Sequence, residues 1–273
     1  LNASQKISFT KSDNLSFMKK QIPNFITLLN LFFGCLAIMS AFEAGAMFSM
    51  DDNGGVIIEI PAKLYYASLY IGLAGLMDFF DGFAARILKV SSAMGKQLDS
   101  LADVVSFGVA PAFIILQFLR LSLATDVNAL SQHSIWLFAA FLIPMAGAYR
   151  LARFNIDTEQ TTYFKGVPIP MIGILTAAFP LIYWQSPSLL LSKMLLSPLF
   201  WYAYILLVSF LMVMKLPMLA LKSLGNKKQL ILPLLLVVLE VVVTAFFYRW
   251  LAIPFGFIGY CLVSLFYQKT ITQ

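Results

Sequence analysis

The sequence predicts an all-α, polytopic integral membrane protein with about eight transmembrane helices and both termini in the cytoplasm. Composition is the first reason: of 273 residues 60% are hydrophobic and only 12% charged, with a mean hydropathy of +0.84, too little charge to coat a soluble domain. The second is a series of eight apolar runs, each near the length of about 17–25 residues that a helix needs to cross a bilayer. The third is charge placement. If the runs cross in alternation, all of the 19 Lys and Arg residues except Lys63, Arg120, Lys193 and Arg249 fall on one side. That excess marks the cytoplasmic face and favours an even number of spans.

Spans are expected at 24–42, 63–88, 98–122, 135–152, 167–184, 197–217, 230–248 and 250–267. The last two meet at a turn near Arg249 and Pro254, as a hairpin or as one span plus a re-entrant piece. Residues 1–22 are mostly polar and end in Lys19 and Lys20 before Pro23; they read as a cytoplasmic, membrane-surface segment. Because the chain begins at Leu1 rather than Met, an altered or missing start is expected. The first external loop is acidic, with Glu43, Asp51, Asp52 and Glu59. The small residues from Ala41 to Ala46 imitate a signal-peptidase site, but the run before them is nearly long enough to span and others follow, so it reads as a retained helix.

The net charge of +6 is dispersed between apolar runs, which suits topology and anionic lipid headgroups and argues against nucleic acid. Cys35 and Cys261 stand in separate apolar runs, as buried hydrophobes without metal-ligand spacing. The single histidine, His133, falls in a loop on the far side of the membrane and reads as a solvated residue, so no Ser-His or Cys-His nucleophile assembles at the cytoplasmic face. Glu240, alone in the seventh span, is a functional candidate by default. Protonation, a hydrogen bond in a dimer interface and a cavity-facing position are the alternatives, and all are remote from the cytoplasmic acids.

Those acids are Asp78, Asp81, Asp99 and Asp103, at the end of the second span and the start of the third. Spacings of three and four put each pair on one helix face, and a helical hairpin brings the faces together. An Asp at mid-span costs about 2.5–3.5 kcal/mol even on a lenient scale, less near an interface, so four adjacent carboxylates require a cation. Oxygen donors without Cys or His suit Mg2+ or Mn2+ and not Zn2+. Gly82 and Gly95 flank the pairs and open a notch for a phosphate, and Arg86 offers a planar fork for phosphate oxygens or for an Asp. Asn24 and Thr27, three apart at the start of the first span, face the hairpin. They serve either as hydrogen-bond donors to a nucleotide or the carboxylates, or as plain helix caps. With no usable histidine, the general base must be a carboxylate. A divalent-cation pathway is the reading from another class, but it requires acids deeper across several spans.

The run Asp78-x2-Asp81-Gly82-x2-Ala85-Arg86-x8-Gly95-x3-Asp99-x3-Asp103 resembles, without a departure, the signature of the CDP-alcohol phosphotransferase family. Ile22 to Thr27, Leu98 to Gly108, Arg150 to Asn155 and Phe164 to Pro168 are similar to its bacterial membrane-integral phosphatidylserine synthases. The resemblance implies a six-helix catalytic core, here 23–217, followed by two additional C-terminal spans in 218–273. It also implies about two Mg2+ or Mn2+ ions held by Asp78, Asp81, Asp99 and Asp103, with Asp103 as general base. Asn24, Thr27, Gly82, Ala85, Arg86 and Gly95 would then bind the CDP diphosphate, and Ser106, Arg150, Arg153 and Lys165 the acceptor or the lipid phosphate. Implied substrates are CDP-diacylglycerol and L-serine, or, with the same chemistry, glycerol 3-phosphate or inositol phosphate in place of serine. A homodimer in the inner membrane, among membrane lipids and with its active site on the cytoplasmic side, completes what the resemblance implies.

Overall fold

A computed structural model describes residues 11–45, 47–50, 56–59, 61–123, 134–157, 164–185, 189–219 and 231–267. Helix α1 (Lys11–Phe42) contains Pro23 internally. The expected segment 1–22 is thus helical from Lys11 onward, because Leu15, Met18 and Ile22 continue the apolar three-and-four spacing of the span; residues 1–10 and His133 lie outside the described residues. In the loop after α1, antiparallel strands β1 (Met47–Met50) and β2 (Val56–Glu59) pair Met47 with Glu59. Sequence periodicity does not foretell these two short strands. At its base Lys63 Nζ pairs with Glu43 at 2.5 Å.

Helix α2 (Ala62–Leu88) lies along α1, and small side chains are buried on both, Ala37 and Ala41 of α1 and Ala67 and Ala74 of α2, with Ala44 just past the end of α1. Small side chains let helix backbones approach where lipid provides no hydrophobic drive. After a short turn, α3 (Ala93–Asp103) passes through a π-helical stretch (Val104–Val109) into α4 (Ala110–Leu123). A single turn, α5 (Ser134–Leu137), and a 3-10 turn lead into α6 (Leu142–Ile156); α7 (Ile169–Gln185), α8 (Leu189–Leu195) and α9 (Pro198–Val213) follow. Their core is aromatic, with Phe118 and Trp201 stacked at 4.8 Å and the Trp201 indole N–H donating to the Leu195 carbonyl at 2.7 Å.

Strands β3 (Phe164–Lys165) and β4 (Pro217–Met218) pair antiparallel and tie the chain after α6 to the chain after α9. Gly166 makes this possible: its φ is +82, and an added Cβ would run into the Met212 carbonyl oxygen. Helices α10 (Ile231–Tyr248) and α11 (Ala252–Phe266) fold back on each other at Arg249, whose φ is +47. Gly256 lies against Val241 and Gly259 against Glu240, so Glu240 sits inside the hairpin contact.

Each stretch expected to span holds a helix, although 197–217 runs past the end of α9 into β4 and α7 starts only at Ile169. By length and composition, three continuous stretches can cross a membrane: Gln21–Phe42, Ala93–Leu123 and Ile231–Phe266. A fourth is added if α8 and α9, bent by 67°, form one span. Helix α2 carries Lys63, Asp78, Asp81 and Arg86 in its length, and α7 is only 17 residues long. Large apolar side chains are exposed throughout, among them Phe246 and Phe266 at 81% each, a surface suited to lipid.

Candidate functional site

The last turns of α2, the turn after it and α3 form the local frame. Lys89 ends α2 in the left-handed conformation at φ 52, its N–H donating to the Arg86 carbonyl and that of Val90 to the Ala85 carbonyl, the backbone reversal that commonly stops a helix. Ser92 then caps α3, its Oγ accepting from the Gly95 N–H at 2.9 Å. The short reversal sets the end of α2 against the start of α3, and the three-and-four spacings aim the acids inward. One carboxylate oxygen from each of Asp78, Asp99 and Asp103 lies within 4.8 Å of the other two. Asp103 is buried and Asp78 and Asp99 are half-buried.

Asp81 stands slightly apart, turned toward α1. Its Oδ2 accepts from the Thr27 hydroxyl at 2.6 Å. The Pro23 carbonyl lies 3.0 Å from the same hydroxyl, but one proton serves one acceptor at a time, and the shorter bond to a carboxylate is the stronger. Thr27 therefore supports the carboxylates, one of the two roles its position allows. Asn24, one turn earlier, faces Gly95, where an added Cβ would sit 2.9 Å from its Oδ1. One turn later Asn30 is fully buried beside Asp103. Beyond it Gly34 abuts Ser106, with no room for a Cβ between them. The stripe 24, 27, 30, 34 of α1 thus follows 95, 99, 103, 106 of α3 and the π stretch, and forms the third wall of the site.

Between these walls opens a cavity of about 250 Å³, whose lining includes Asn24, Thr27, Asp81, Gly82, Ala85, Gly95, Lys96 and Asp99. Five of the six residues expected to bind the diphosphate line it. Arg86 does not: it is exposed on α2 and outside the lining.

The acceptor-side residues have separate placements. Ser106 is fully buried and donates to the Asn30 carbonyl at 3.1 Å, so it joins α1 to the π stretch and offers nothing to the cavity. Arg153 directs its fork to backbone, Nη1 to the Val213 carbonyl at 2.8 Å and Nη2 to that of Lys165 at 3.1 Å. Lys165 pairs with Asp157 at 2.6 Å. These two cations hold the segment after α6 in place. Only Arg150 remains near the acids, 5% exposed and within electrostatic reach of Asp103.

Two features escaped the sequence reading. Lys96 borders the cavity, donates to the Asn155 carbonyl at 3.3 Å and lies 5.6 Å from the centre of the Phe154 ring; Asn155 in turn donates to Ser100 at 2.8 Å. Asn30 is the other, although its spacing from Thr27 repeats that of Thr27 from Asn24.

Two unit charges 4.8 Å apart repel by about 3.5 kcal/mol at an effective dielectric constant of about 20. A cation or protons must relieve a cluster of three. The donor set is all oxygen, and the buried Asp103 Oδ1 has no hydrogen-bond partner among the described residues. Both properties fit a hard divalent cation.

The description CDP-alcohol phosphatidyltransferase belongs to a family model that matches residues 20–262. A CDP-diacylglycerol–serine O-phosphatidyltransferase of Bacillus subtilis strain 168 is 35% identical over 153 residues, which cover 56% of this chain and 71% of that one. One of the same name from Saccharomyces cerevisiae is 32% identical, over 62% of this chain and 57% of its own. An archaetidylserine synthase of Methanothermobacter thermautotrophicus is 33% identical, over 59% and 60%. In the last two cases the chain spans less than two thirds of the relative. The family match runs from α1 through the carboxylate hairpin and on into α11, and by it the chain belongs to the CDP-alcohol phosphatidyltransferase family.

Proposed function

We propose that this protein transfers the phosphatidyl group of CDP-diacylglycerol to the hydroxyl of L-serine, giving phosphatidylserine and CMP. The observation that carries the proposal is the convergence of Asp78, Asp99 and Asp103 beside a cavity at one end of apolar helices, where a lipid still anchored by its acyl chains would present its diphosphate. The names of the relatives support serine as the acceptor.

In this reading Asp78, Asp81, Asp99 and Asp103 hold one or two Mg2+ or Mn2+ ions. When bound, such ions neutralise diphosphate charge and stabilise the departing CMP. Thr27 holds Asp81 in place. Gly82 and Gly95 leave backbone open to the phosphates, and Asn24, Ala85 and Lys96 border the nucleotide. Asp103 takes the proton of the serine hydroxyl as its oxygen bonds to the lipid-bearing phosphorus and the bond to CMP breaks. Arg150, the one acceptor-side cation near Asp103, receives the serine carboxylate. The reading places the cavity at the cytoplasmic face of the inner membrane, in a homodimer of eight-span chains with a 23–217 core.

Purified protein in lipid nanodiscs, given CDP-diacylglycerol with Mn2+ or Mg2+ and offered serine, glycerol 3-phosphate and inositol phosphate in parallel, tests the proposal through CMP release and the lipid product. Phosphatidylserine with serine alone is expected. Absence of CMP with every acceptor would sink phosphatidyl transfer, whereas turnover only with glycerol 3-phosphate would remove serine.

A further inference from the structure

We infer that Asn30 is the positioning residue for Asp103, its side-chain amide anchoring one carboxylate oxygen so that the carboxylate keeps its direction toward Asp78 and Asp99. The inference rests on the proposed role of Asp103 and adds a residue outside the family signature quoted above.

Asn30 is 0% exposed, and neither its Nδ2 nor its Oδ1 has a hydrogen-bond partner among the described residues. An amide buried in this way costs stability, and an apolar side chain of similar volume would cost none. Packing therefore gains nothing from an amide at this position. What lies beside it explains its presence: the Asp103 carboxylate is within interaction range of the amide, and Asp103 Oδ1 is itself buried without a partner. The two side chains are complementary, N–H donor to carboxylate acceptor.

The backbone around them is already fixed. Ser106 donates to the Asn30 carbonyl at 3.1 Å, and Gly34 closes on Ser106. On the other side, Asp103 is the last residue before the π stretch Val104–Val109, where the regular helical ladder is interrupted and the helix lends less support. A carboxylate at such a junction needs a neighbour to set its direction. Side chains that orient a metal ligand in this way typically matter ~10–100-fold in metal affinity or activity.

The test uses the full chain in nanodiscs with Asn30→Leu and Asn30→Ala, and takes three readings. These are the melting temperature without metal, the midpoint of Mn2+ stabilisation in a thermal titration, and kcat at saturating Mn2+ and CDP-diacylglycerol. Expected for Asn30→Leu are an unchanged or raised metal-free melting temperature, a Mn2+ midpoint about 10-fold higher and a kcat about 10–100-fold lower. Asn30→Ala should shift the midpoint and kcat in the same direction. An unchanged midpoint and kcat in Asn30→Leu would overturn the inference. So would a fall in metal-free melting temperature accompanying both losses, or failure of both variants to fold, since either makes Asn30 a packing residue. A shifted Mn2+ midpoint in a chain that releases no CMP with any acceptor would uphold Asn30 and remove phosphatidyl transfer.

Discussion

Replacing Asp103 by Asn changes the charge of the site with almost no change of shape, and it separates the cluster's cost to the fold from its use in chemistry. In the wild type an Asp103 oxygen lies within 4.8 Å of one from Asp78 and one from Asp99. Each pair, fully charged, repels by about 3.5 kcal/mol or more at an effective dielectric constant of about 20, so Asp103 accounts for about 7 kcal/mol before the site relaxes. Because Asp78 and Asp99 are only half-buried, water and side-chain rotation relieve much of this, leaving ~1–3 kcal/mol. Without metal, Asp103→Asn should therefore be the more stable protein, by about 2–10 °C in melting temperature. With Mn2+ the order should narrow or reverse, because a ligand is lost. Turnover should fall by about 10²–10⁴, the usual contribution of a general base, while CDP-diacylglycerol still raises the melting temperature. Differential scanning fluorimetry with and without Mn2+, alongside CMP release, measures all of this. A metal-free variant less stable than wild type would refute the repulsion argument, and undiminished turnover would exclude Asp103 as the base.

Three further perturbations probe the frame. Thr27→Val removes the 2.6 Å bond to Asp81, a charge-assisted bond of about 1.5–3 kcal/mol; a Mn2+ midpoint raised about 10-fold or more in a thermal titration is expected, and an unmoved one would show that Asp81 needs no support. At Gly166 the φ of +82 and the Met214 carbonyl 2.8 Å from an added Cβ leave no room for Ala. Gly166→Ala should cost about 2 kcal/mol or more in thermal unfolding. Arg153→Lys replaces a fork that reaches the carbonyls of Val213 and Lys165. It should lower the melting temperature and leave the KM for CDP-diacylglycerol unchanged; a raised KM with normal stability would restore Arg153 to the substrate.

The carboxylate hairpin was legible because everything that builds it is local. Spacings of three and four set each pair on a face, Ser92 and the left-handed Lys89 reverse the chain, and no distant residue is needed to bring Asp78 to Asp99 and Asp103. Cations two helices away were not legible in the same sense. Arg150, Arg153 and Lys165 carry one signal in sequence, an excess of positive charge at one end of the helices, yet the fold gives them three placements: within electrostatic reach of Asp103, on backbone carbonyls and on Asp157. Charge counting assigns a side of the membrane and cannot choose a partner, because the partners come from α3, from the end of α9 and from the segment after α6.

Asn30 lies between these cases. Its position on α1 was readable, since 24, 27 and 30 repeat one step, but its meaning depends on a contact with a residue 73 positions later. An asparagine in an apolar run reads equally as a cap, an interhelical hydrogen bond or a site residue. Burial to 0% in mid-helix beside Asp103 removes the cap and makes the other two one, since the group an interhelical bond would reach is the site carboxylate itself. What sequence reading lacked at α1 was therefore the packing partner: a wall of the site supplied by a helix outside the signature is recognised only when the polar groups on it are seen to lack partners of their own.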